Sequence, residues 1–117
     1  MVMSGLPPEI VQILNVRGGE GKRGQLSGII REYVYARDAY RCVNCKLQFR
    51  PKQRRSRGAN RNRLTIDHIR PRSEGGTNDP RNCRSLCRRC HEFLNKHKRL
   101  PDETERPWAT SGRRRES

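Results

Sequence analysis

At 117 residues, only 31% of them hydrophobic, the chain is long enough for one small domain with flanking segments and too poor in apolar side chains for a large unaided core. A core of that size calls for a staple, either metal or disulfide. The formal charge of +15 points to a polyanionic partner, because a merely soluble surface needs far less, and no run of 18 apolar residues is present to cross a membrane.

In chain order, Pro7 and Pro8 can open a short helix over residues 7–16, with Ile10, Val11, Ile13 and Leu14 on its apolar face. The same N-terminus lacks a basic segment ahead of its short apolar stretch, which argues against a secretory signal, so a cytoplasmic location is expected. "RGGEGKRGQ", residues 17–25, holds four glycines and no apolar side chain, the composition of a flexible linker. Residues 1–26 therefore read as an extension plus linker. Ser27 can cap a second helix, in which Ile29, Ile30, Tyr33 and Val34 recur at helical spacing before Asp38.

"YRCVNC" turns into a first cysteine pair, and "FRPKQRRSRGANRNR", residues 49–63, follows with seven Arg or Lys and no acid. That segment is too polar to pack by itself and reads as an exposed basic loop. Leu64 and Ile66 alternate in a short strand ending at Asp67. Pro71, Gly75, Gly76 and Pro80 then set a stiff loop. A second short strand is expected around Arg84 to Leu86, and a helix from Arg88 to Lys98. Residues 100–117, with Pro101, Pro107 and "SGRRRES", read as a mobile tail, in which Trp108 either covers a core edge or anchors a partner. The charge sits in the middle: residues 41–99 hold 18 of the 27 basic side chains and 4 of the 12 acids.

The cysteines show where the staple lies. Cys42 and Cys45, and Cys87 and Cys90, form two Cys-x2-Cys pairs separated by a long segment. A closed tetrahedron of four thiolates suits a structural Zn2+, whose binding in zinc-finger peptides supplies an apparent ~10–16 kcal/mol. An iron–sulfur cluster takes the same ligands but finds no support in the basic flanks. Cys83, the fifth, reads as a small buried hydrophobe.

His91 directly follows Cys90. Adjacent helix residues point about 100° apart, so Cys90 can face zinc while His91 faces another way, with Asn95 one turn on. Across a hairpin from that face would lie Asp67 and His68. A carboxylate, an imidazole and an amide oxygen make a sparse site for a second divalent cation, open to water or substrate. His97 has no partner at helical spacing and reads as a surface residue.

Taken together, "RDAYRCVNCK" and "TIDHIRPRSEGGTNDPRNCRSLCRRCHEFLNK" resemble the HNH endonucleases in motif order and spacing. The resemblance implies a small α+β fold: a ββα-metal core, a preceding helix and a four-cysteine zinc site, within a nuclease domain at residues 27–99. It implies that Asp67 and His91 are ligands of a catalytic divalent ion (Mg2+, Mn2+, Ni2+ or Zn2+), with Asn95 as a further ligand. His68 would be the general base that activates water. Asn82 would be the central Asn that holds the loop and orients His68; Asn78 competes, but Asn82 stands just before the second strand. Because the chain would leave the strand at His68, Asp67 could face the ion while His68 faces a water beside the same phosphate. DNA phosphates would meet Arg50, Lys52, Arg54, Arg55, Arg57, Arg61 and Arg63 of the basic loop, and Arg70, Arg72, Arg81, Arg84, Arg88 and Arg89, whereas Arg41 would pack near the zinc. The chain is similar to small stand-alone phage HNH proteins, which implies DNA processing with terminase subunits as partners in a host cytoplasm. The alternative from another class is a noncatalytic zinc-ribbon nucleic-acid-binding module, which uses the cysteines and the charge but not Asp67, His68, Asn82 and His91.

Overall fold

The computed structural model describes residues 5–21, 24–50 and 62–109. Its first helix, α1 (Pro8–Arg17), starts on Pro at N1, and Gly18 closes it at φ +62°. Gly18 N–H donates to Leu14 O at 3.0 Å and Gly19 N–H to Ile13 O at 3.3 Å, the double bond of a left-handed helix stop that glycine adopts without a Cβ penalty. The segment expected to be a linker is thus structured at its start. It is also bridged, Glu20 to Leu26, and residues 22 and 23 lie outside the described residues.

Helix α2 (Gly28–Arg37) is capped by Ser27, whose hydroxyl accepts from Ile29 N–H at 3.2 Å. Of its apolar stripe, Ile30 and Val34 are buried, while Ile29 is 49% exposed and packs outside the core. Strands β1 (Leu64–His68) and β2 (Cys83–Cys87) form an antiparallel pair in which Asp67 faces Arg84 and His68 faces Cys83. β1 therefore runs one residue past Asp67, and β2 is longer than expected at both ends. Helix α3 (Arg88–His97) follows β2 directly, completing ββα.

Two small cores flank the sheet. One gathers Ile10, Ile30, Val34 and Cys83, with Leu14 and Ile66 against them. The other gathers Leu86, Ala109 and the four paired cysteines, with Val43, Leu47, Phe49, Leu94 and Trp108 packed around. Residues expected in a mobile tail thus belong to a core. Ala109 is 2% exposed, and Pro101 O accepts from Asn44 Nδ2 at 3.1 Å. This packing was not readable locally, because a proline-flanked Trp gives no periodic signal.

The end of α2 is bracketed to β2. Arg37 donates to Pro80 O at 2.7 Å and to Cys83 O at 2.8 Å. Asp38 accepts from Ser85 N–H at 3.0 Å and from Arg37 at 2.9 Å. Burial alone would raise the Asp38 carboxyl, but the bonds from Arg37 and Ser85 outweigh it and hold it below the usual carboxylate range. Among the described residues no helix is long and apolar enough to cross a membrane.

Candidate active site and metal centre

Cys42 and Cys45 lie in a tight turn that Lys46 permits by adopting φ +68°, and Cys45 N–H donates to Cys42 Sγ at 3.4 Å. Cys87 caps α3, its Sγ accepting from Cys90 N–H at 3.5 Å. All four are buried, and their sulfurs lie within 4.8 Å of one another. A tetrahedron with Zn–S near 2.3 Å has edges of about 3.8 Å; Cys45 and Cys87 sulfurs are 3.7 Å apart. That spacing fits one zinc ion and leaves no room for a multi-iron cluster. Hydrogen bonds from the Cys45, Cys87 and Cys90 thiols hold Cys42 far below an ordinary thiol, and the same contacts push Cys45 and Cys87 well above one, so it is a metal's charge that would let all four sulfurs ionise together. Cys83 is different. Burial pushes its thiol up to about 11, and it packs in the other core as a neutral hydrophobe.

On the α3 side of the sheet, β1 offers Thr65 and Asp67. Asp67 is 7% exposed, and its Oδ1 lies 3.6 Å from His91 Nε2. Two donors that close can share an ion at about 2.0–2.2 Å from each. The other Asp67 oxygen accepts from Arg84 Nε at 2.8 Å, which fixes the carboxylate and leaves Oδ1 facing the imidazole. Thr65 sets the ring. Its hydroxyl donates to Leu86 O at 2.8 Å and so must accept from His91 Nδ1, 2.9 Å away. Nδ1 then carries the proton and Nε2 keeps its lone pair, the tautomer a metal ligand needs. Sequence reasoning missed Thr65, because a strand threonine is ordinary on propensity grounds. Asn95 stands one turn beyond His91 and is exposed.

His68 is on the other face. It follows Leu64 and Ile66 in the alternation and, still paired with Cys83, leaves the strand opposite Asp67 rather than beside it. Its Nε2 lies 2.8 Å from Asn78 Oδ1. Asn82 straps the loop instead: its Oδ1 accepts from Arg70 N–H at 2.9 Å, and its Nδ2 donates to Arg70 O at 3.1 Å and Thr77 O at 2.8 Å. Gly76 is required in that loop, since a Cβ there would sit 1.7 Å from Arg70 O. The two asparagines thus divide the work, with Asn82 on the loop backbone and Asn78 on the imidazole.

With this geometry in place, the model of the HNH endonuclease family matches residues 42–99. The chain carries an HNH endonuclease domain. Comparison with curated proteins gives no match, and neither does comparison with solved structures.

The basic side chains of the HNH domain fall into distinct settings. Arg84 is drawn to Asp67, which makes it a neighbour of the Asp67–His91 pair rather than a free surface charge. Arg81 pairs with Asp79, whose carboxyl it holds below the usual range. Arg72 reaches Glu20 at 3.0 Å, Arg88 reaches Glu92 at 2.9 Å, and Arg70 Nε donates to Glu74 O at 2.8 Å. The three ion pairs of Arg81, Arg72 and Arg88 sit at or near the surface, where such pairs are weak. Arg50, Arg63 and Arg89 are exposed or half-buried around β1 and α3. Arg41 bonds Gln48 at 2.9 Å beside the first cysteine pair. Lys52, Arg54, Arg55, Arg57 and Arg61 lie outside the described residues.

Proposed function

We propose that the chain is a metal-dependent endonuclease that hydrolyses phosphodiester bonds in DNA. The observation that carries this is the Asp67–His91 pair, its free imidazole nitrogen set by Thr65, on the hairpin whose first strand ends at His68. A noncatalytic zinc-ribbon module has no use for a buried carboxylate aimed at an imidazole lone pair.

Asp67 Oδ1 and His91 Nε2 are the groups that would hold the catalytic cation, with Asn95, one turn on in α3, as the further ligand the resemblance implies; the mixed oxygen and nitrogen donors suit Mg2+, Mn2+, Ni2+ or Zn2+. Such an ion supplies charge to offset the transition state and the leaving 3′-oxygen. His68, at the end of β1, takes the proton of the attacking water through the ring nitrogen it does not spend on Asn78. Asn82 keeps the loop folded, so that the base stays at the strand end. The arginines around β1 and α3 hold the backbone phosphates, which position the duplex without reading its sequence. Cleavage leaves 5′-phosphate and 3′-hydroxyl ends. A place beside a packaging terminase is supported by the family resemblance and by no residue of this site.

The test is nicking of supercoiled plasmid by zinc-loaded protein with added Mg2+, Mn2+ or Ni2+. Wild type should give nicked or linear product; His68→Ala should give none while keeping its zinc and its melting temperature. DNA binding without cleavage by wild type would favour the noncatalytic module.

A further inference from the structure

Asn78 is 1% exposed, and every polar atom of its side chain is engaged. Its Nδ2 donates to Gly18 O at 2.9 Å. Its Oδ1 accepts from Arg72 at 3.3 Å and lies 2.8 Å from His68 Nε2. The amide can be read only one way round. Turned over, it would set an NH2 against a guanidinium and one carbonyl oxygen against another. With Oδ1 fixed as an acceptor, His68 Nε2 must be the donor, and the lone pair belongs to Nδ1.

The anchor for this arrangement comes from outside the segment that matches the HNH family, residues 42–99. Gly18 stops α1. A Cβ on Gly19 would stand 2.5 Å from Asn78 Cβ, and Gly19 itself adopts φ +84°, a conformation that strains other residues. Glu20 pins Arg72 from the same turn at 3.0 Å. Ile10 of α1 is buried against Ile30, Val34 and Cys83, which ties this turn to α2 and β2.

We propose that Asn78 is a positioning residue that fixes His68 as the Nε2–H tautomer with Nδ1 as the base, and that the α1 turn, residues 18–20, is a working part of the active centre through its grip on Asn78. This rests on the nuclease reading for its catalytic meaning, but not for its chemistry, which is a tautomer and a hydrogen bond.

Two readouts on the zinc-loaded full chain test it. The first, by two-bond 1H–15N correlation of the imidazoles without DNA or added cation, reads the His68 tautomer. The second is plasmid nicking with kcat and KM resolved. Wild type should show His68 protonated on Nε2. Asn78→Ala should show mixed tautomers and a kcat lower by about 10–100-fold, as for other residues that orient a functional imidazole, with KM unchanged. Asn78→Asp, which keeps an acceptor for Nε2, should hold the wild-type tautomer and exceed Asn78→Ala in kcat. Gly19→Ala, which alters neither His68 nor Asn78 itself, should behave as Asn78→Ala does. A wild-type His68 protonated on Nδ1, a result that needs no variant to fold, overturns the proposal, as does Asn78→Ala with tautomer and kcat intact. Expected tautomers with no cleavage by wild type would uphold the role of Asn78 and sink the nuclease reading alone.

Discussion

Thr65→Val is the sharpest probe of the second cation site, because it removes one hydroxyl and little else. Valine keeps the shape and the β-branching, so β1 should persist. Two bonds disappear: the one to Leu86 O at 2.8 Å and the one from His91 Nδ1 at 2.9 Å. At about 1 kcal/mol for a net hydrogen bond, the fold loses roughly 2 kcal/mol. The loss at the site is more telling. Without its acceptor, the His91 ring is free to turn and to carry its proton on either nitrogen, and loss of such a partner lowers metal affinity by about 10–100-fold. The assay is calorimetric titration of Mn2+ into zinc-loaded protein, with plasmid nicking at matched cation levels. Thr65→Val should bind Mn2+ about 10–100-fold more weakly and regain part of its nicking at high Mn2+, whereas Thr65→Ser should bind as wild type does. Zinc content should be equal in all three. Mn2+ affinity in Thr65→Val within about threefold of wild type, well below that range, would refute the assignment of His91 Nε2 as a ligand.

Two further variants probe the frame. Cys42→Ser opens the sulfur tetrahedron and should abolish stoichiometric zinc, measured by elemental analysis, with a steep drop in folded yield; a closed zinc site contributes an apparent ~10–16 kcal/mol in peptides that depend on it, and full zinc retention would show that the four thiols are not its ligands. Arg37→Ala removes the bonds to Pro80 O, Cys83 O and Asp38 and should cost about 2–3 kcal/mol, since bonds from charged groups are worth about 1.5–3 each before allowance for a side chain that is partly exposed. A melting temperature lower by about 10 °C follows for a domain this small, and a shift under about 3 °C would mean that the bracket is redundant.

The parts legible in the sequence were those whose chemistry fixes the spacing. Two Cys-x2-Cys pairs have few uses outside metal binding, and His91 placed directly after Cys90 must face away from the zinc on any helix. The ββα order followed from Leu64 and Ile66 alternating ahead of Asp67, from the second short strand around Arg84 to Leu86 and from the helix expected from Arg88. What escaped were contacts made between elements. Gly18 and Gly19 read as flexible because glycine is common in linkers, whereas here one stops a helix in the left-handed region and the other lets Asn78 approach. Trp108 had no neighbour in sequence to suggest the zinc-side core it joins. Asn78 and Asn82 are four residues apart in one loop, and only the path of that loop decides which side chain meets His68 and which meets the backbone of Arg70.

The proposed second ion would share one short helix with the sulfur cage. Cys87 and Cys90 close the sulfur cage at the first turn of α3, so a bound zinc clamps this turn to the Cys42–Cys45 knuckle. His91, the next residue, inherits its position from that clamp and its rotation from Thr65. Asp67 needs neither, being held by Arg84 and by the strand register. On the proposed two-ion reading the dependence would run one way: loss of zinc would displace His91, whereas loss of the second cation would leave the cage intact. A small domain would gain from that direction, because the ion proposed to exchange with water and substrate would not be the one that holds the fold together.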